Sequence, residues 1–355
     1  MAKVNANILI HSLRGTSQVF FMENAITGAL FFVAIAYASF ATGQWATTIG
    51  AAVGVLVATL TAQLLDCDEK SITSGLFGFN GVLVGAALPT FIAASPQLWV
   101  YIVVGAAAST VVTAAFSATI TNKWGIPGST GPFVLVGWLM VAGAYSFGGL
   151  QPSGIAPKLA TDYVHGVVSI PAPLELLQIF LRNIGQVFLL GNEISGAIIL
   201  AGIFVASVPA GLIVAAGSLV ALVVSIGMGA DPATVVQGLY GFSPVLTALA
   251  VGLIFLKPSP KVAAYALLAT IVTVFVQGAL DVIVAPAGIP SFTAPYVLTM
   301  YLFIAPRKLM APHPHAPVSG HMVVHKDASP PAAASRSSGQ TKFDTPASFP
   351  IVRQE

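Results

Sequence analysis

Residues 125–135 read GIPGSTGPFVL and residues 288–298 read GIPSFTAPYVL, so that seven of eleven positions are identical. A second motif recurs at the same distance along the chain. GLFGFNGVL at residues 75–83 returns as GLYGFSPVL at residues 238–246, with six of nine positions identical. Both pairs are offset by 163 residues (288 minus 125, and 238 minus 75). This regularity indicates that one segment of chain is present twice.

A third pair of segments lies in the same order. RGTSQVFFMENAITGA at residues 14–29 returns as RNIGQVFLLGNEISGA at residues 182–197, with eight of sixteen positions identical at an offset of 168 residues. Three collinear pairs indicate an internal duplication. Residues 1–165 form the first repeat, and residues 166–310 form the second.

The composition is typical of a protein embedded in a membrane. Of the 355 residues, 56% are hydrophobic and only 7% are charged, and the mean hydropathy is +0.89, whereas an ordinary soluble domain has about 25% charged residues. The 52 residues from 71 to 122 contain no charge, which is more than the roughly 20 residues that one spanning helix needs. Because lipid cannot satisfy open backbone groups, we expect the spans to be α-helices.

The sequence also argues against several other classes of protein. Cys67 is the only cysteine, so no intramolecular disulfide can form. The net charge of +2 gives no indication of a nucleic-acid partner. The chain contains no His-Glu-x-x-His motif, nucleophile elbow or phosphate-binding Gly-Lys loop. We therefore expect no enzymatic activity, no cofactor and no metal site.

Clusters of Gly, Pro and charged residues divide the chain into ten apolar blocks, five in each repeat. The blocks lie near residues 17–40, 48–65, 75–95, 98–121, 130–147, 184–206, 208–228, 235–256, 261–280 and 291–305. Five is an odd number of spans, so the second repeat must enter the membrane from the opposite face. The sequence therefore predicts an all-α membrane protein of ten transmembrane helices in two inverted five-helix repeats, with re-entrant or broken helices around a central pore.

The positive charges predict the orientation. With ten crossings both termini share one side, where eight Lys and Arg residues fall against two on the other side. The eight are Lys3, Arg14, Lys70, Lys123, Lys257, Lys261, Arg307 and Lys308, and the two are Lys158 and Arg182. Since cytoplasmic loops carry the excess of positive charge, we expect a multi-pass protein of the cell membrane with both termini in the cytoplasm. Residues 311–355, rich in Pro, Ser, Ala and His, predict a disordered cytoplasmic tail.

The opening motif predicts where the two repeats meet. Proline lacks an N–H and disfavours helix in the residue before it, so the Ile-Pro steps at Pro127 and Pro290 should each end a helix. Thr130 and Thr293 follow these breaks, and near an axis that relates the repeats their hydroxyls can converge in mid-membrane. The alternative is that each hydroxyl bonds the carbonyl one helical turn back.

Gln18 and Gln186 form another polar pair at aligned positions. A buried amide must find hydrogen-bond partners, so each one either braces neighbouring helices or lines a path for a polar solute. Apolar residues four apart, and hence on one helix face, recur as Phe79 with Leu83 and as Phe242 with Leu246. They are either core and lipid contacts or walls of the same path.

Three acidic residues keep a different function open. Glu23, Glu193 and Asp281 lie in or beside apolar blocks, and an acid inside the membrane is a candidate coupling site. The alternative is therefore an ion-coupled secondary transporter of a small polar solute that uses Asp281 or Glu193. All three acids lie near predicted segment ends, where water can solvate them, which favours a passive pathway.

The repeated motifs resemble the signatures of the urea transporter family of urea channels, in its bacterial type. QVFFMEN followed by ITG, GLFGFNGVLVG and PGSTGPF carry the resemblance, which covers roughly residues 12–305. The family's Leu-Pro is Ile-Pro in both repeats, and Leu189 stands where the first repeat has Phe21. The resemblance implies passive permeation of urea through a continuous pore in each protomer of a homotrimer in the lipid bilayer. A related amide, ammonia or water is the alternative permeant.

The chemistry of urea fits this implied pathway. Urea is flat and neutral, with N–H donors on one edge and a carbonyl acceptor on the other, so a selectivity filter needs oxygen acceptors between apolar plates. Carbonyls freed at the breaks and glutamine oxygens supply acceptors, whereas an ion would lose its hydration without compensation. The implied pathway residues are Gln18, Val19, Phe21, Phe79, Leu83 and Thr130 in the first repeat and Gln186, Val187, Leu189, Phe242, Leu246 and Thr293 in the second.

Overall fold

The computed structural model describes residues 7–163 and 170–308, and within these ranges the chain forms α-helices joined by turns and loops, with no β-strand. The tail predicted at residues 311–355 and Lys3 lie outside the described residues. The helices of the first repeat are α1 (Ile8–Ser17), α2 (Ala25–Thr42), α3 (Trp45–Leu64), α4 (Glu69–Thr73), α5 (Gly78–Phe91), α6 (Pro96–Phe116), α7 (Asn122–Trp124) and α8 (Gly131–Ala144). Those of the second are α9 (Pro173–Gly185), α10 (Glu193–Ala206), α11 (Val208–Gly227), α12 (Pro232–Val236), α13 (Phe242–Leu249), α14 (Pro260–Val284) and α15 (Ala294–Ile304).

Several of these helices are suited to a bilayer. Five segments are long and apolar enough to cross it: Ala25–Thr42, Trp45–Leu64, Pro96–Trp124, Val208–Gly227 and Pro260–Ala287. A sixth candidate combines Pro173–Phe188 and Glu193–Ala206, which meet at an angle of 74°. The class of all-α membrane protein is confirmed, and the count of ten spans stays a prediction.

Three helices are shorter than the apolar blocks predicted for them: α5, α8 and α15. α5 and α8 have 14 residues each and α15 has 11, fewer than the roughly 20 that cross a bilayer. α8 and α15 begin only at Gly131 and Ala294, after the Ile-Pro steps have broken the preceding helix. Each predicted break therefore precedes a short helix, whereas the segments before the breaks, Pro96–Trp124 and Pro260–Ala287, are long.

The backbone turns at equivalent places in the two repeats. Five aligned pairs have positive φ angles: Phe21 (61°) and Leu189 (61°), Asp66 (50°) and Gly229 (67°), Gly75 (86°) and Gly238 (78°), Gly125 (66°) and Gly288 (64°), and Ser129 (45°) and Phe292 (48°). A side chain in this left-handed region costs of order 1–3 kcal/mol and persists only where its surroundings impose it. The second repeat therefore copies the first at the level of single backbone angles.

Two hydrogen bonds between α2 and α10 are reciprocal. The Thr27 hydroxyl donates to the Gly202 carbonyl (2.8 Å), and the Ser195 hydroxyl donates to the Ala34 carbonyl (2.8 Å). At the offset of 168 residues, Ser195 is the counterpart of Thr27, and Gly202 is the counterpart of Ala34. A contact from one residue to another that is matched by the reverse contact is the mark of a two-fold axis. The repeats face each other across such an axis.

Residues near this axis meet their own counterparts. The rings of Phe20 and Phe188, which are aligned, lie 6.2 Å apart, and neither side chain is exposed. The ring of Phe31 lies edge-on, 5.5 Å from each of them. These rings form the core where the repeats join. The opposite insertion of the repeats into a membrane stays a prediction.

Two glycines allow helices to approach closely at either side of the axis. A Cβ atom at Gly28 would lie 1.8 Å from the carbonyl oxygen of Leu13, and one at Gly196 would lie 2.0 Å from that of Leu181. Leu181 is the counterpart of Leu13 at the offset of 168 residues. Because the obstructing atoms belong to the backbone, a side-chain rotation cannot make room.

We predict that Gly28→Ala and Gly196→Ala each lower the free energy of unfolding by about 3 kcal/mol, the upper end of the usual cost of overpacking. Thermal unfolding of the detergent-purified protein, followed by fluorescence-detected size exclusion, measures the loss. Gly227→Ala is the matched control, because a Cβ at this helical glycine meets nothing within 4 Å. Equal melting temperatures for all three variants would contradict the close approach.

Candidate functional site

Thr130 and Thr293 meet at the junction of the repeats. Their Oγ1 atoms are 2.7 Å apart, and each residue is 2% exposed. Each one is the N-cap of the helix that follows its break, α8 or α15. A single hydrogen bond uses one hydroxyl hydrogen, so the second hydrogen of this threonine pair can be offered to a ligand.

The alternative raised for these threonines does not describe them. Other buried threonines, such as Thr59 and Thr247, donate to the carbonyl four residues back, Val55 (2.8 Å) and Ser243 (3.1 Å) respectively. The threonine pair stands at the first position of a helix, where no helical turn precedes it. Each hydroxyl therefore turns to the other repeat.

Four residues around the threonine pair were not anticipated. The hydroxyls of Ser129 and Tyr296 are 2.6 Å apart, and the rings of Phe133 and Phe292 are 4.9 Å apart. At the offset of 163 residues these are counterpart contacts, because Phe292 aligns with Ser129 and Tyr296 aligns with Phe133. One side of the axis thus has a polar contact and the other an aromatic one. The mismatched positions in the two copies of the opening motif carried this signal.

Asn80 supports the start of α8. Its Nδ2 atom donates to the Thr113 hydroxyl (3.0 Å), and its Oδ1 atom accepts the backbone N–H of Phe133 (3.1 Å). Asn80 is fully buried. Its counterpart Ser243 is also fully buried, and the Ser243 hydroxyl has no partner among the described residues. The first break is therefore anchored by a side chain that the second lacks.

Gln18 and Gln186 make equivalent contacts. The Nε2 atom of Gln18 donates to the Ser74 carbonyl (2.9 Å), and that of Gln186 donates to the Gln237 carbonyl (2.8 Å). Ser74 and Gln237 are counterparts at the offset of 163 residues. In the described part of the chain neither Oε1 atom accepts a hydrogen bond. Each amide thus braces a loop with its nitrogen and keeps its oxygen available.

A sharp bend follows each of these glutamines. Gln18–Phe20 and Gln186–Phe188 are single 3-10 turns, and the next residues, Phe21 and Leu189, have left-handed backbones. Asn24 and its counterpart Asn192 then cap α2 and α10 with their side chains. The bends leave Phe21 and Leu189 half-buried, and the Phe21 ring packs edge-on against Phe255 at 5.4 Å.

A cavity of about 420 Å³ lies beside the threonine pair, and we call it the second-repeat cavity. Five predicted pathway residues of the second repeat line it: Gln186, Val187, Leu189, Phe242 and Thr293. Three aromatic residues, Phe91, Phe133 and Phe292, also line it. Aromatic and aliphatic side chains thus form much of the wall, beside the amide of Gln186 and the hydroxyl of Thr293. Charged and polar side chains line it as well, among them Lys158, Gln277 and Asp281.

The structure does not bring the other predicted residues into this cavity. Leu246 is fully buried and is not one of the lining residues. None of the six first-repeat residues lines it either: Gln18, Val19, Leu83 and Thr130 are buried, and Phe21 and Phe79 are half-buried. Among the described residues, only the second half of the predicted pathway surrounds this cavity.

Two carbonyls at the second break accept hydrogen bonds from side chains of the first repeat. The Trp138 indole N–H donates to the Pro290 carbonyl (2.8 Å), and the Tyr145 hydroxyl donates to the Gly288 carbonyl (3.0 Å). Each of these carbonyls thus has one of its two lone pairs in use, and the expectation that freed carbonyls serve as acceptors for the solute stays a prediction. The donors to these two carbonyls are long side chains of α8 and of the residue after it, and no local sequence pattern predicts these contacts.

The acids behave differently from one another. Glu193 forms an ion pair with Arg182 (3.0 Å), and Glu23 is exposed. Asp281 lies on the wall of the second-repeat cavity, together with Tyr163. Burial, with the Asp281 and Asp231 carboxylates, raises the pKa of the Tyr163 phenol.

Comparison with known proteins identifies the family. The model of the family described as "Urea transporter" matches residues 9–308. Urea transporter 1 of Capra hircus is 29% identical over 304 residues, covering 82% of this chain and 75% of that protein. Urea transporter 1 of Ovis aries is 29% identical over 302 residues, and that of Rattus norvegicus is 28% identical over 296 residues, with the same two shares. The three repeated motifs and the threonine pair all lie inside the matched range, and this chain belongs to the urea transporter family.

Proposed function

We propose that the chain is a passive channel that lets urea cross the membrane down its gradient. The observation that carries this proposal is the threonine pair, a buried and uncharged hydrogen-bonding point where the two repeats meet, with a partly apolar cavity beside it. Membership of the family supports the same function. A reaction is not proposed, because the site holds no nucleophile paired with a base.

The residues of the second-repeat cavity suit a flat, neutral amide. The free Oε1 atom of Gln186 accepts from an N–H of urea, and the Thr293 hydroxyl can either donate to its carbonyl or accept from its nitrogens. Leu189 and Phe242 provide apolar surface above and below the plane of the molecule. We place the equivalent first-repeat residues on the continuation of the path, as the two-fold relation implies.

Ions should be excluded by the same lining. At the threonine pair, the surrounding side chains are hydroxyls and aromatic rings, which do not replace the hydration shell of an ion. A charge moved from water into such a place loses solvation energy far in excess of what one neutral hydrogen bond returns. A neutral amide loses much less.

The alternative of an ion-coupled transporter is not favoured. Coupling requires an acid that is free to exchange an ion, and Glu193 is already paired with Arg182. Asp281 lies on the cavity wall and not at the threonine pair. We therefore expect no dependence of urea transport on a proton or sodium gradient.

The proposal extends to the surroundings of the chain. Lys and Arg placement supports a cell-membrane protein with both termini in the cytoplasm. Exposed apolar side chains such as Phe40 (71%), Leu139 (65%) and Val223 (63%) are suited to contact with lipid or with other protomers. By resemblance to the family, three protomers assemble, each with its own pore.

Replacing both hydroxyls of the threonine pair is the direct test. We predict that Thr130→Val with Thr293→Val slows urea flux about thirtyfold, because a hydrogen bond of about 1 kcal/mol is lost at each of the two residues. Stopped-flow light scattering of proteoliposomes measures urea permeability.

Thr59→Val is the matched control for this variant. Thr59 is equally buried (1% exposed), but its hydroxyl donates within its own helix and does not line the cavity. Size exclusion shows whether each variant is intact. Flux of the double variant equal to that of Thr59→Val would remove the threonine pair from the path.

Passive permeation predicts indifference to ion gradients. We predict that the initial rate of urea uptake into proteoliposomes is unchanged by a protonophore, by an imposed pH gradient or by replacement of sodium with potassium. Counterflow of radiolabelled urea distinguishes net accumulation from equilibration. Accumulation of urea above its external concentration, abolished by the protonophore, would establish the coupled transporter instead.

Assembly can be measured separately from transport. We predict that native mass spectrometry of the detergent-purified protein gives a particle of three chains of 36.4 kDa, plus bound lipid. A mass of one or two chains would refute the trimer and leave the proposed permeation intact, since each protomer has its own pore.

A further inference from the structure

One wall of the second-repeat cavity departs from the two-fold symmetry of the protein. Three polar residues meet there, and at the offset of 163 residues their first-repeat counterparts are a methyl or a hydrogen. The second-repeat residues are Gln277, Asp281 and Ser291, and the counterparts are Ala114, Ala118 and Gly128. We call these three polar residues the wall cluster. The duplication does not require it, and neither does the proposed path through the threonine pair.

Gln277 connects the wall cluster. Its Nε2 atom donates to both carboxylate oxygens of Asp281 (2.9 and 3.1 Å) and to the Ser291 hydroxyl (2.9 Å). Gln277 is only 1% exposed and Ser291 only 5%, yet both line the cavity. The amide nitrogen is thereby fully used, and it holds the carboxylate in a fixed position.

The amide oxygen of Gln277 is left over. It is buried and has no hydrogen-bond partner among the described residues. A buried acceptor without a donor costs free energy. A contact between Gln277 and Asp281 that served only to hold the structure together would gain nothing from this cost. The same cavity also holds the free Oε1 atom of Gln186. A ligand in the cavity that brings N–H donors can bond the Gln186 oxygen.

The carboxylate of Asp281 has no cation beside it. In residues 7–163 and 170–308 the only ion pair is between Arg182 and Glu193. Lys158 also lines the cavity, but its ammonium lies over the Tyr163 ring, 3.9 Å from the centroid. The wall cluster therefore has a carboxylate with no paired cation among the described residues, and a matching ligand is positively charged and rich in N–H groups.

We propose that the wall cluster is a binding site for a small, flat organic cation of the guanidinium type. Such a cation can pair with the Asp281 carboxylate through two parallel N–H bonds. The ring of Tyr240, which lines the same cavity, offers a face for stacking. This cation has the shape of urea but carries a charge, so it binds at the wall and does not cross the neutral junction beyond it.

Calorimetric titration of the detergent-purified full chain with guanidinium chloride, at millimolar concentrations and constant ionic strength, tests the site. We expect saturable binding that Asp281→Asn weakens by about tenfold or more, since the hydrogen bonds lost are charge-assisted. Ser291→Gly, which installs the first-repeat residue, is the second variant if Asp281→Asn does not fold, and it should weaken binding several-fold. Tetramethylammonium, which has the charge but no N–H group, should not bind.

Asp162→Asn is the matched control. It is the same substitution on an exposed loop acid that does not line the cavity, and it should bind guanidinium as the wild type does. The proposal is overturned if the wild type shows no saturable binding, if Asp281→Asn binds as tightly as Asp162→Asn, or if tetramethylammonium competes equally. Because no urea is present, none of these results affects the proposed permeation.

Inhibition of urea flux by guanidinium tests whether the site lies on the urea path, and this test rests on the proposed urea permeation. We expect guanidinium to slow urea flux through proteoliposomes, and the half-inhibitory concentration to rise about tenfold in Asp281→Asn relative to Asp162→Asn. Each flux is compared with the same variant without guanidinium. Binding that depends on Asp281 but leaves urea flux unaltered would place the site off the urea path and refute the proposed block.

Discussion

Two helices are broken by proline in an apolar protein, and the groups left free at the breaks have to find partners. Each break is resolved by the other repeat: the threonine that starts α8 bonds the threonine that starts α15, and Trp138 of the first repeat takes the Pro290 carbonyl of the second. The contact between the repeats thus provides partners for two buried hydroxyls and for a backbone carbonyl, and the uncharged site that we propose for urea lies at this contact.

Some features of the molecule are the same in both repeats, and others differ between them. Bends, left-handed residues and the loop-bracing glutamines are duplicated, which indicates that they maintain the architecture. The contacts between Ser129 and Tyr296 and between Phe133 and Phe292 differ across the axis, as does the wall cluster. A duplicated chain is free to change one copy while the other keeps the fold, so its differences are where the surroundings of a solute can be adjusted.

The sequence was informative wherever the two copies agree. Their motifs placed the breaks and indicated that Thr130 and Thr293 converge, and the apolar composition predicted the class of fold. It was less informative where the structure depends on contacts between distant segments. The donation by Tyr145 to Gly288 links α8 to the second break through a side chain outside both motifs. The burial of Leu246 away from the cavity depends on packing that helical spacing alone does not determine.

The paired bonds of Thr27 with Gly202 and of Ser195 with Ala34 have a consequence for the origin of the chain. Before the gene fusion, a half-length polypeptide could have formed the same bonds with a second molecule of itself, each copy serving as donor and acceptor in turn. With the opposite insertion predicted for the two repeats, such a homodimer needs monomers inserted in both topologies in one bilayer. Fusion removes that requirement and fixes the stoichiometry of the two halves. Co-expression of separately encoded halves is then a reconstruction of the ancestral state.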